Sequence, residues 1–401
     1  MFRLHNPIQR YAWGSQSAIA DLLGAPSPAP TPEAELWMGA HPSAPSQVRT
    51  ARGERSLLDL IEQDPEQHLG SEVSRRYGPR LPFLLKVLAA AAPLSLQAHP
   101  NAEQARLGFN AEEARRVPWD DPQRNYRDPR HKPELLCALS RFEALCGFRP
   151  VPSTLRLLNA LEIRALGPRL DQLRDRPNAH GLKELFSFLL QTPPDLRNEL
   201  LEGTLRGCAR LAETRGEFTA PCTWALRLGE DYPGDIGILE SLLLNLLVLR
   251  PGEAVFLPAG NLHSYLEGTG VEIMANSDNV LRGSLTQKHV DRDELLRIVD
   301  FTPSVVTPLL PESRGQGERV YVTPASEFRL SRIELESQWI GQTVGPEILL
   351  VTSGTAILTG TANQRWQLER GDSVFVSASQ GRYALNGDAV LFRATVGDTR
   401  S

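Results

Sequence analysis

A stretch with helical periodicity interrupts this chain of 401 residues near its middle. After Pro152, leucines recur at spacings of three and four in LRLLNALEIRALGPRLDQL and then in LKELFSFLL, a repeat that favours helices. The segments on either side are divided by Pro and Gly into short apolar stretches, which is typical of strands. We therefore predict a strand-rich catalytic domain formed by residues 1–150 and 233–307, with a helical domain inserted at 151–232.

The last part of the chain, residues 308–401, alternates apolar and polar residues between glycine turns, which predicts a small antiparallel sandwich. It also contains a weak internal repeat, because ERGDSVFVSAS at 369–379 aligns with RPGEAVFLPAG at 250–260. Three residues beyond these segments, the first copy has His263 and the second has Arg382. We therefore expect two related sandwiches, of which the second has a structural role and binds no metal through histidine.

Composition and charge exclude several classes of protein. The 43 Lys and Arg against 48 Asp and Glu give a net charge of −5, so no strongly basic field would recruit nucleic acid. The most apolar run, SLLLNLLVL at 241–249, is about half as long as a bilayer requires. The start of the chain lacks the apolar core of a signal peptide. We expect a soluble cytoplasmic protein, a monomer without nucleic-acid or membrane partners. Its four cysteines are predicted to be buried thiols: Cys137, Cys146, Cys208 and Cys222.

Two potential metal ligands lie close together in LSLQAHP. Gln97 and His99 are two residues apart in a segment whose composition favours a strand, so both side chains should leave the same face. On their own, two such residues more often belong to a solvated strand face than to a metal site. Further donors elsewhere in the chain are needed to favour the metal.

His263 supplies such a donor. It follows Gly252, Pro258 and Gly260 with a spacing that resembles the second half of the cupin metal signature, in which glycine turns direct an imidazole into the barrel. A divalent cation also needs a carboxylate, since two His and one Gln are all neutral. Glu134, which follows a proline and precedes two leucines in HKPELL, is the best candidate, although alone it would be read as an exposed carboxylate at a strand end.

The chain resembles the type I mannose-6-phosphate isomerase family, a branch of the cupin superfamily. The matching stretches lie in the family's order over about the first 300 residues. The last 100 residues match only in their general pattern of apolar and polar residues. These stretches are YAWGS (11–15), ELWMGAHP (35–42), LPFLLKVL (81–88), PLSLQAHPN (93–101), HKPE (131–134), FEALCGFRP (142–150), GDIGILESLLLN (234–245) and HSYLEGTGVEIMANSDNVLRGSLTQKHVD (263–291).

This resemblance implies a fold, a cofactor and a reaction. The fold would be mainly β with an α-helical insertion: a cupin-type jelly-roll catalytic domain, a helical domain and a second, degenerate cupin-like β-sandwich. The enzyme would interconvert mannose 6-phosphate and fructose 6-phosphate through an enediolate, with one Zn²⁺ per chain. By the family's motifs the zinc ligands would be Gln97, His99, Glu134 and His263, the same four residues that the spacing favours.

The resemblance also assigns roles around the metal. Arg282 would be the catalytic arginine, which we expect to stabilise the enediolate, while Ser95 and Lys288 would contact the substrate phosphate. Glu272 and Lys132 are alternatives for proton transfer, with Glu272 slightly favoured because a carboxylate needs little adjustment to accept a proton. A structural role for Glu272, orienting a nearby cation, remains an alternative.

Some positions depart from the family's pattern. Ser284 and Gln287 stand where the family usually has Gly and Pro before the lysine, and Ala102 stands where many members have Lys. We expect these differences to change substrate affinity more than the reaction. By contrast, Arg292 and Arg297 are predicted to lie on a solvated helix face, and Trp13, Trp37 and His41 to line the core or the cavity wall.

Two other functions fit parts of this pattern. His99, Glu134 and His263 alone make the two-His, one-carboxylate set of Fe(II) dioxygenases, although Gln97 would occupy a position that oxygen needs. A non-catalytic cupin that senses sugar phosphates is the second alternative, and such a protein would have no use for an arginine beside the metal.

Overall fold

The computed structural model describes residues 1–51, 53–361 and 364–397. In the catalytic part the strands are β1 (Phe2–His5), β2 (Ile8–Gln9), β3 (Glu35–Met38), β4 (Gln47–Thr50), β5 (Gly53–Ser56), β6 (Phe83–Ala90), β7 (Gln97–Ala98), β8 (Glu134–Ala138), β9 (Phe142–Phe148), β10 (Leu244–Leu249), β11 (Ala254–Leu257), β12 (His263–Ala275) and β13 (Leu281–Arg282). The C-terminal strands are β14 (Glu312–Gly315), β15 (Glu318–Tyr321), β16 (Arg329–Leu335), β17 (Gln338–Gln342), β18 (Glu347–Thr359), β19 (Arg365–Glu369), β20 (Ser373–Val376) and β21 (Arg382–Thr395).

Helices occur in the middle of the chain and also between the early strands. They are α1 (Ala18–Leu23), α2 (Leu57–Gln63), α3 (Pro65–Leu69), α4 (Ser71–Tyr77), α5 (Ala102–Ala114), α6 (Val151–Ala160), α7 (Gly167–Asp175), α8 (Ala179–Leu190), α9 (Pro194–Glu213), α10 (Thr219–Asp231), α11 (Gly237–Ser241) and α12 (Arg292–Ile298), with short 3-10 turns at Arg164–Leu166 and Ala378–Gln380. The predicted class, a β-rich fold with a helical insertion, is confirmed. The domain boundaries remain a prediction.

Two details of the chain differ from the sequence-based expectation. The first 150 residues, predicted from their Pro and Gly spacing to be strand-rich, also contain α1 to α5. The second strand-rich part was expected to begin with strands near residue 233, but α11 comes first and β10 begins only at Leu244. The reason is that GILES is too short for its apolar residues to distinguish a helix from a strand by period.

β12 is the central strand of the catalytic sheet. Its second half pairs with β6 and β8, and its first half pairs with β7 and β9. The pairing shifts by one residue between Tyr265 and Glu267, which is a β-bulge, and Gly268 follows with φ of 134°. A Cβ at Gly268 would lie 2.7 Å from the carbonyl oxygen of Arg141, so a larger residue would collide with the backbone just before β9. The strand therefore bends here and contributes residues to two sets of partners.

The second sheet repeats part of this pattern. β11 and β20 both follow a glycine with positive φ, Gly252 at 88° and Gly371 at 91°, as the aligned segments predicted. The next long strands, β12 and β21, begin at His263 and Arg382. The internal repeat therefore reflects a shared arrangement of strands, with arginine at the start of the strand that begins with histidine in the first copy.

The second sheet extends beyond the C-terminal segment. β1 pairs with β20 on one side and with β4 on the other, and β4 pairs with β5, so three N-terminal strands belong to it. One hydrophobic cluster joins the two parts, since Leu4, Phe83 and Ile273 pack in it together with Phe375 and Phe392. The C-terminal sandwich therefore shares a core with the catalytic part.

A second large cluster lies between the helical segment and the catalytic strands. It contains Leu157 and Phe186 from the helices and Leu96, Leu262 and Leu281 from or beside the strands. In the described residues no helix is both long and apolar enough to cross a membrane. All four cysteines are buried free thiols, as predicted.

Candidate metal centre and cavity

Four strands, β7, β8, β12 and β13, contribute the predicted site residues. Gln97 in β7 lies directly opposite His263 at the start of β12 and opposite Arg282 in β13. Directly opposite residues of antiparallel strands have their Cβ atoms within about 5.5 Å, so the register draws these three side chains together. His99 follows β7, and Glu134, the first residue of β8, joins the site through the pairing of β8 with β12.

The four predicted ligands converge on one point. His99 Nε2 lies 3.4 Å from Glu134 Oε2, and His263 Nε2 lies 3.5 Å from the same oxygen. Gln97 Nε2 is 3.3 Å from His263 Nε2, and a rotation of the amide would bring its oxygen to the same position. The candidate ligand atoms of His99, Glu134 and His263 all lie within 4.8 Å of one another, and all three residues are buried.

Each imidazole is oriented by its other nitrogen. His99 Nδ1 is 2.7 Å from the backbone oxygen of Asn279, and His263 Nδ1 is 3.0 Å from that of Asn261. A carbonyl oxygen only accepts, so each Nδ1 carries the proton and each Nε2 directs a lone pair at the centre. Burial lowers the pKa of His99 to about 4, which keeps this ring neutral at pH 7.

The centre fits a divalent cation. His99 Nε2 and Glu134 Oε2 are buried and have no hydrogen-bond partner in the described part of the chain. Buried polar atoms are rarely left unpaired, and a cation bound between them would satisfy both. Burial favours the neutral acid of Glu134, but neighbouring groups, Lys132 foremost, outweigh that effect and hold its pKa well below the ordinary value. The carboxylate is therefore available as an anionic ligand.

A second row of charged residues crosses the sheet beside this centre. Lys86 in β6 lies opposite Trp37 in β3 and opposite Glu272 in β12. Its ammonium is 3.3 Å from Glu272 and 3.5 Å from Glu35, and these carboxylates raise its pKa despite burial. Tyr265 donates a hydrogen bond of 2.8 Å to Glu272. Burial, opposed by Lys86, raises the pKa of Glu272, which makes this carboxylate more basic than an exposed one.

These residues line a cavity of about 480 Å³, a size suited to a small ligand. Its walls include the predicted catalytic residues Glu272, Lys132 and Arg282, and Trp13, Trp37 and His41 lie there as expected. Lys132 forms a 2.9 Å ion pair with Glu134 and so lies directly beside the metal centre.

The cavity wall also carries unpaired positive charge. Arg282 and Lys288 line it together with Ser95, and neither cation forms an ion pair within the described residues. Burial, together with Arg282, lowers the pKa of Lys288. An anion bound between the two cations would relieve their repulsion. In contrast, Arg292 and Arg297 are exposed on α12, as predicted.

Comparison with known proteins identifies the family. The chain is 39% identical to the mannose-6-phosphate isomerase of Escherichia coli (strain K12) over 398 residues, covering 98% of this chain and 99% of that protein. The chain belongs to the mannose-6-phosphate isomerase family. The family profile described as phosphomannose isomerase type I, catalytic domain, matches residues 1–151.

Solved structures of this isomerase family have the same fold. A crystal structure of a mutant phosphomannose isomerase from Salmonella typhimurium superposes with a TM-score of 0.92 at 38% identity, covering 99% of this chain and 100% of that chain. A crystal structure of mannose 6-phosphate isomerase with zinc bound gives a TM-score of 0.91 at 37% identity, covering 99% of each chain. The predicted cupin-type class is confirmed by these likenesses.

Three residues of this isomerase site were not predicted from the sequence. Lys86, Glu35 and Asp278 all line the cavity, and Asp278 forms a 3.2 Å ion pair with His41. Lys86 could have been found, because LPFLLKVL has one charged residue in an otherwise apolar strand, and a buried lysine needs a partner. Glu35 and Asp278 give no comparable signal, since single acidic residues near strand ends are common on protein surfaces.

Proposed function

We propose that the protein interconverts mannose 6-phosphate and fructose 6-phosphate with one zinc ion per chain. The observation that carries this proposal is a single cavity lined by Gln97 and Glu134 of the metal cluster and also by two cations, Arg282 and Lys288, that form no ion pair in the described part of the chain. A sugar phosphate has both chemistries, since its carbonyl end can bind a metal and its phosphate carries close to two negative charges. The names of the 39% identical relative and of the zinc-bound structure agree with this assignment.

Gln97, His99, Glu134 and His263 are the proposed zinc ligands. Three of them are neutral, so Glu134 alone reduces the charge of Zn²⁺, leaving a net charge of about +1 at the site. When bound, zinc supplies a Lewis acid that polarises the substrate carbonyl. The carbonyl contacts of the two imidazole Nδ1 atoms hold the rings in the orientation that ligation requires.

Glu272 is the proposed base. Isomerisation removes a proton from C2 of the aldose and returns one to C1, with an enediolate between the two steps. The carboxylate of Glu272 would take the proton from C2 and deliver it to C1, while the hydroxyl proton on O2 passes to O1, so that no net proton is gained or lost. The hydrogen bond from Tyr265 and the ion pair with Lys86 fix its position, and its raised pKa suits a group that must accept and release a proton.

Lys132 remains the alternative for proton transfer. Its ammonium is 2.9 Å from Glu134, an arrangement that also suits a purely electrostatic role beside the metal. Lys86 is a weaker candidate, because two carboxylates raise its pKa and keep it protonated. We therefore favour Glu272 as the base and Lys86 as the cation that orients it.

Arg282 is the proposed electrostatic catalyst. It lies opposite Gln97 in the strand register and therefore beside the metal centre, where the enediolate oxygen would develop negative charge. Lys288 and Ser95 would contact the phosphate further along the cavity. Binding energy gained at the phosphate then orients the reacting end of the sugar.

The two alternative functions are less well supported. Gln97 lies 3.3 Å from His263, so it would occupy a coordination position that an Fe(II) dioxygenase keeps open for oxygen. A cupin that only senses sugar phosphates would not need a buried carboxylate with a raised pKa in the cavity.

The test is to measure fructose 6-phosphate formation from mannose 6-phosphate, with zinc content determined on the same protein. Activity should be equal in air and under argon, should fall when a chelator removes the metal, and should return with added zinc. In deuterium oxide, part of the product should carry deuterium at C1, and Glu272→Gln should abolish turnover while retaining zinc. Zinc-loaded protein without turnover would overturn the proposal, and turnover only in air would favour the dioxygenase.

A further inference from the structure

The segment from Gly283 to Lys288, here called the 283–288 loop, is held by contacts on two sides. On the strand side, Leu96 N donates to Ser284 O at 3.0 Å, and Gly283 N donates to Leu96 O at 2.8 Å. On the helical side, Thr286 N donates to Asp235 Oδ2 at 3.3 Å. Hydrogen bonds therefore hold the loop from both the strand side and the helical side.

One further contact comes from a buried carboxyl group. Glu240 in α11 is completely buried, and its Oε2 accepts a hydrogen bond of 2.6 Å from the Ser284 hydroxyl. Its other oxygen, Oε1, is also buried and has no hydrogen-bond partner in the described residues. The mechanism proposed above uses neither residue. A carboxylate ion so enclosed would be costly, whereas a neutral carboxylic acid needs fewer partners.

The Ser284 side chain has little freedom to leave this contact. A Cβ built on Gly237 would lie 2.5 Å from its hydroxyl oxygen, so glycine at position 237 leaves the space that the serine fills. Glu240, Ser284 and Gly237 therefore form one packed unit between α11 and the loop.

The charged groups near Glu240 would neutralise little of the negative charge of an ionised carboxylate at this position. Burial raises the pKa of Glu240 to about 8, and Asp235 adds to the rise. The hydrogen bond from Ser284 opposes the rise, because an ionised carboxylate is the stronger acceptor. Arg292 from α12 and Arg197 from α9 also oppose it, although within the described residues neither forms an ion pair with Glu240. The carboxyl group is thus neutral at pH 7 and becomes ionised as the pH rises through about 8.

We propose that Glu240 is a positioning residue for phosphate binding, which holds the 283–288 loop, and with it Lys288, through the hydroxyl of Ser284. This inference rests on the proposed function, in which Lys288 contacts the substrate phosphate. A substitution that removes the acceptor or the donor of this bond releases the loop from α11. Substrate affinity then falls, while the chemistry at the metal centre is largely retained.

The experiment measures KM and kcat for mannose 6-phosphate at pH 7 in the full-length zinc enzyme. Glu240→Leu removes the acceptor of the Ser284 hydroxyl and should raise KM by about threefold to tenfold, the equivalent of one hydrogen bond, with kcat within about twofold. Glu240→Gln keeps an acceptor oxygen and should leave KM near the wild-type value.

Ser284→Ala should raise KM by a similar factor, because it removes the donor of the same bond. Glu230→Gln in α10, where the acid is exposed, is the matched control and should behave as the wild type. An unchanged KM in Glu240→Leu or in Ser284→Ala would overturn the proposal.

A separate variant distinguishes this proposal from the proposed function. Lys288→Met should raise KM if Lys288 contacts phosphate. If Lys288→Met raises KM but the Glu240 and Ser284 variants do not change it, the positioning role is wrong and the phosphate site stands. If Lys288→Met leaves KM unchanged, the assignment of the phosphate site is wrong, and Glu240 cannot act through Lys288.

Discussion

At the level of single residues, the metal centre depends on atoms that do not face the metal. Asn279 and Asn261 contribute only backbone oxygens, yet these decide which nitrogen of His99 and of His263 carries a proton. The Nε2 atoms are then both available as ligands without any change of tautomer. This preorganisation reduces the cost of binding a cation, because the rings are already held in place.

Replacing His263 with Ala should remove most bound zinc and most activity while leaving the fold intact. The sheet around His263 is held by strand pairing and by apolar packing, so losing one ligand weakens the metal site more than the core. The measurement is zinc per chain by elemental analysis, alongside a thermal melt. His180→Ala, an exposed histidine of α8, is the control and should retain zinc. Full zinc content in His263→Ala would contradict the ligand assignment.

Arg282→Ala should lower kcat by about two to three orders of magnitude, with a smaller change in KM. The physical reason is that the guanidinium would stabilise charge that develops only on the way to the enediolate. Arg282→Lys should recover part of the loss, because it restores the charge without the planar fork. Steady-state kinetics in both directions provide the measurement. If Arg282→Ala instead raises KM strongly at unchanged kcat, the arginine binds ground-state phosphate.

Among the strands and helices, β12 has the largest influence on the site. His263 and Glu272 are nine residues apart, and on a regular strand an odd separation would direct them to opposite faces. The bulge between Tyr265 and Glu267 inserts one extra residue and reverses this alternation. One strand therefore supplies both a proposed ligand and the proposed base to the same side of the sheet.

The paired strands of the second sandwich contain a counterpart of the metal ligand Glu134. Glu134 pairs with Leu257 in β11, and Glu347 pairs with Val376 at the corresponding position of β20. Glu347 is buried, but its partner is the guanidinium of Arg393, at 2.5 Å and 2.9 Å, in place of histidines. The second sandwich thus balances its buried carboxylate with a cation from its own chain.

Glu347→Ala should destabilise the protein by about 3–5 kcal/mol, because it leaves Arg393 as a buried charge without its main partner. Denaturant unfolding followed by circular dichroism is the measurement, and kcat per folded molecule should stay near the wild-type value. Glu336→Ala, which alters an exposed acid after β16, is the control and should cost less than about 0.5 kcal/mol. A loss below about 1 kcal/mol for Glu347→Ala would show that the pair contributes little to stability.

Across the complete fold, the C-terminal sandwich and the catalytic part depend on each other. β20 pairs with β1, and Tyr321 donates a hydrogen bond of 2.8 Å to the backbone oxygen of Gly252. His131, next to the proposed proton-transfer residue Lys132, is 2.8 Å from Glu327. The sandwich therefore covers apolar surface of the catalytic part and also contacts a segment beside the cavity.

A chain truncated at Pro308 should be less soluble and less heat-stable than the full chain, before any effect on the chemistry. The truncation exposes the apolar cluster that Phe375 and Phe392 cover and leaves β1 without β20. Solubility on expression and thermal melting are the measurements. Phe375→Ala, a milder change in the same cluster, should cost about 3–5 kcal/mol. A truncated chain that stays soluble and equally heat-stable would refute this role of the sandwich.

Much of the site could be predicted because its chemistry is local in the sequence. Gln97 and His99 are neighbours in one short segment, and glycine and proline turns mark the approach to His263. The helical segment was visible from the spacing of its leucines. Lys86, Glu35 and Asp278 were missed because their importance comes from partners that are distant in the chain, such as Glu272 and His41.

By itself, the sequence determined which side chains are available and the type of most elements, because apolar periodicity and turn residues act over a few neighbouring positions. Only the tertiary structure decided how those side chains meet. The bulge in β12 sets the face of Glu272, and the packing of α11 against the 283–288 loop buries Glu240 beside Ser284. Strand register and burial arise from contacts between distant segments, and such contacts leave little trace in the local pattern of residues.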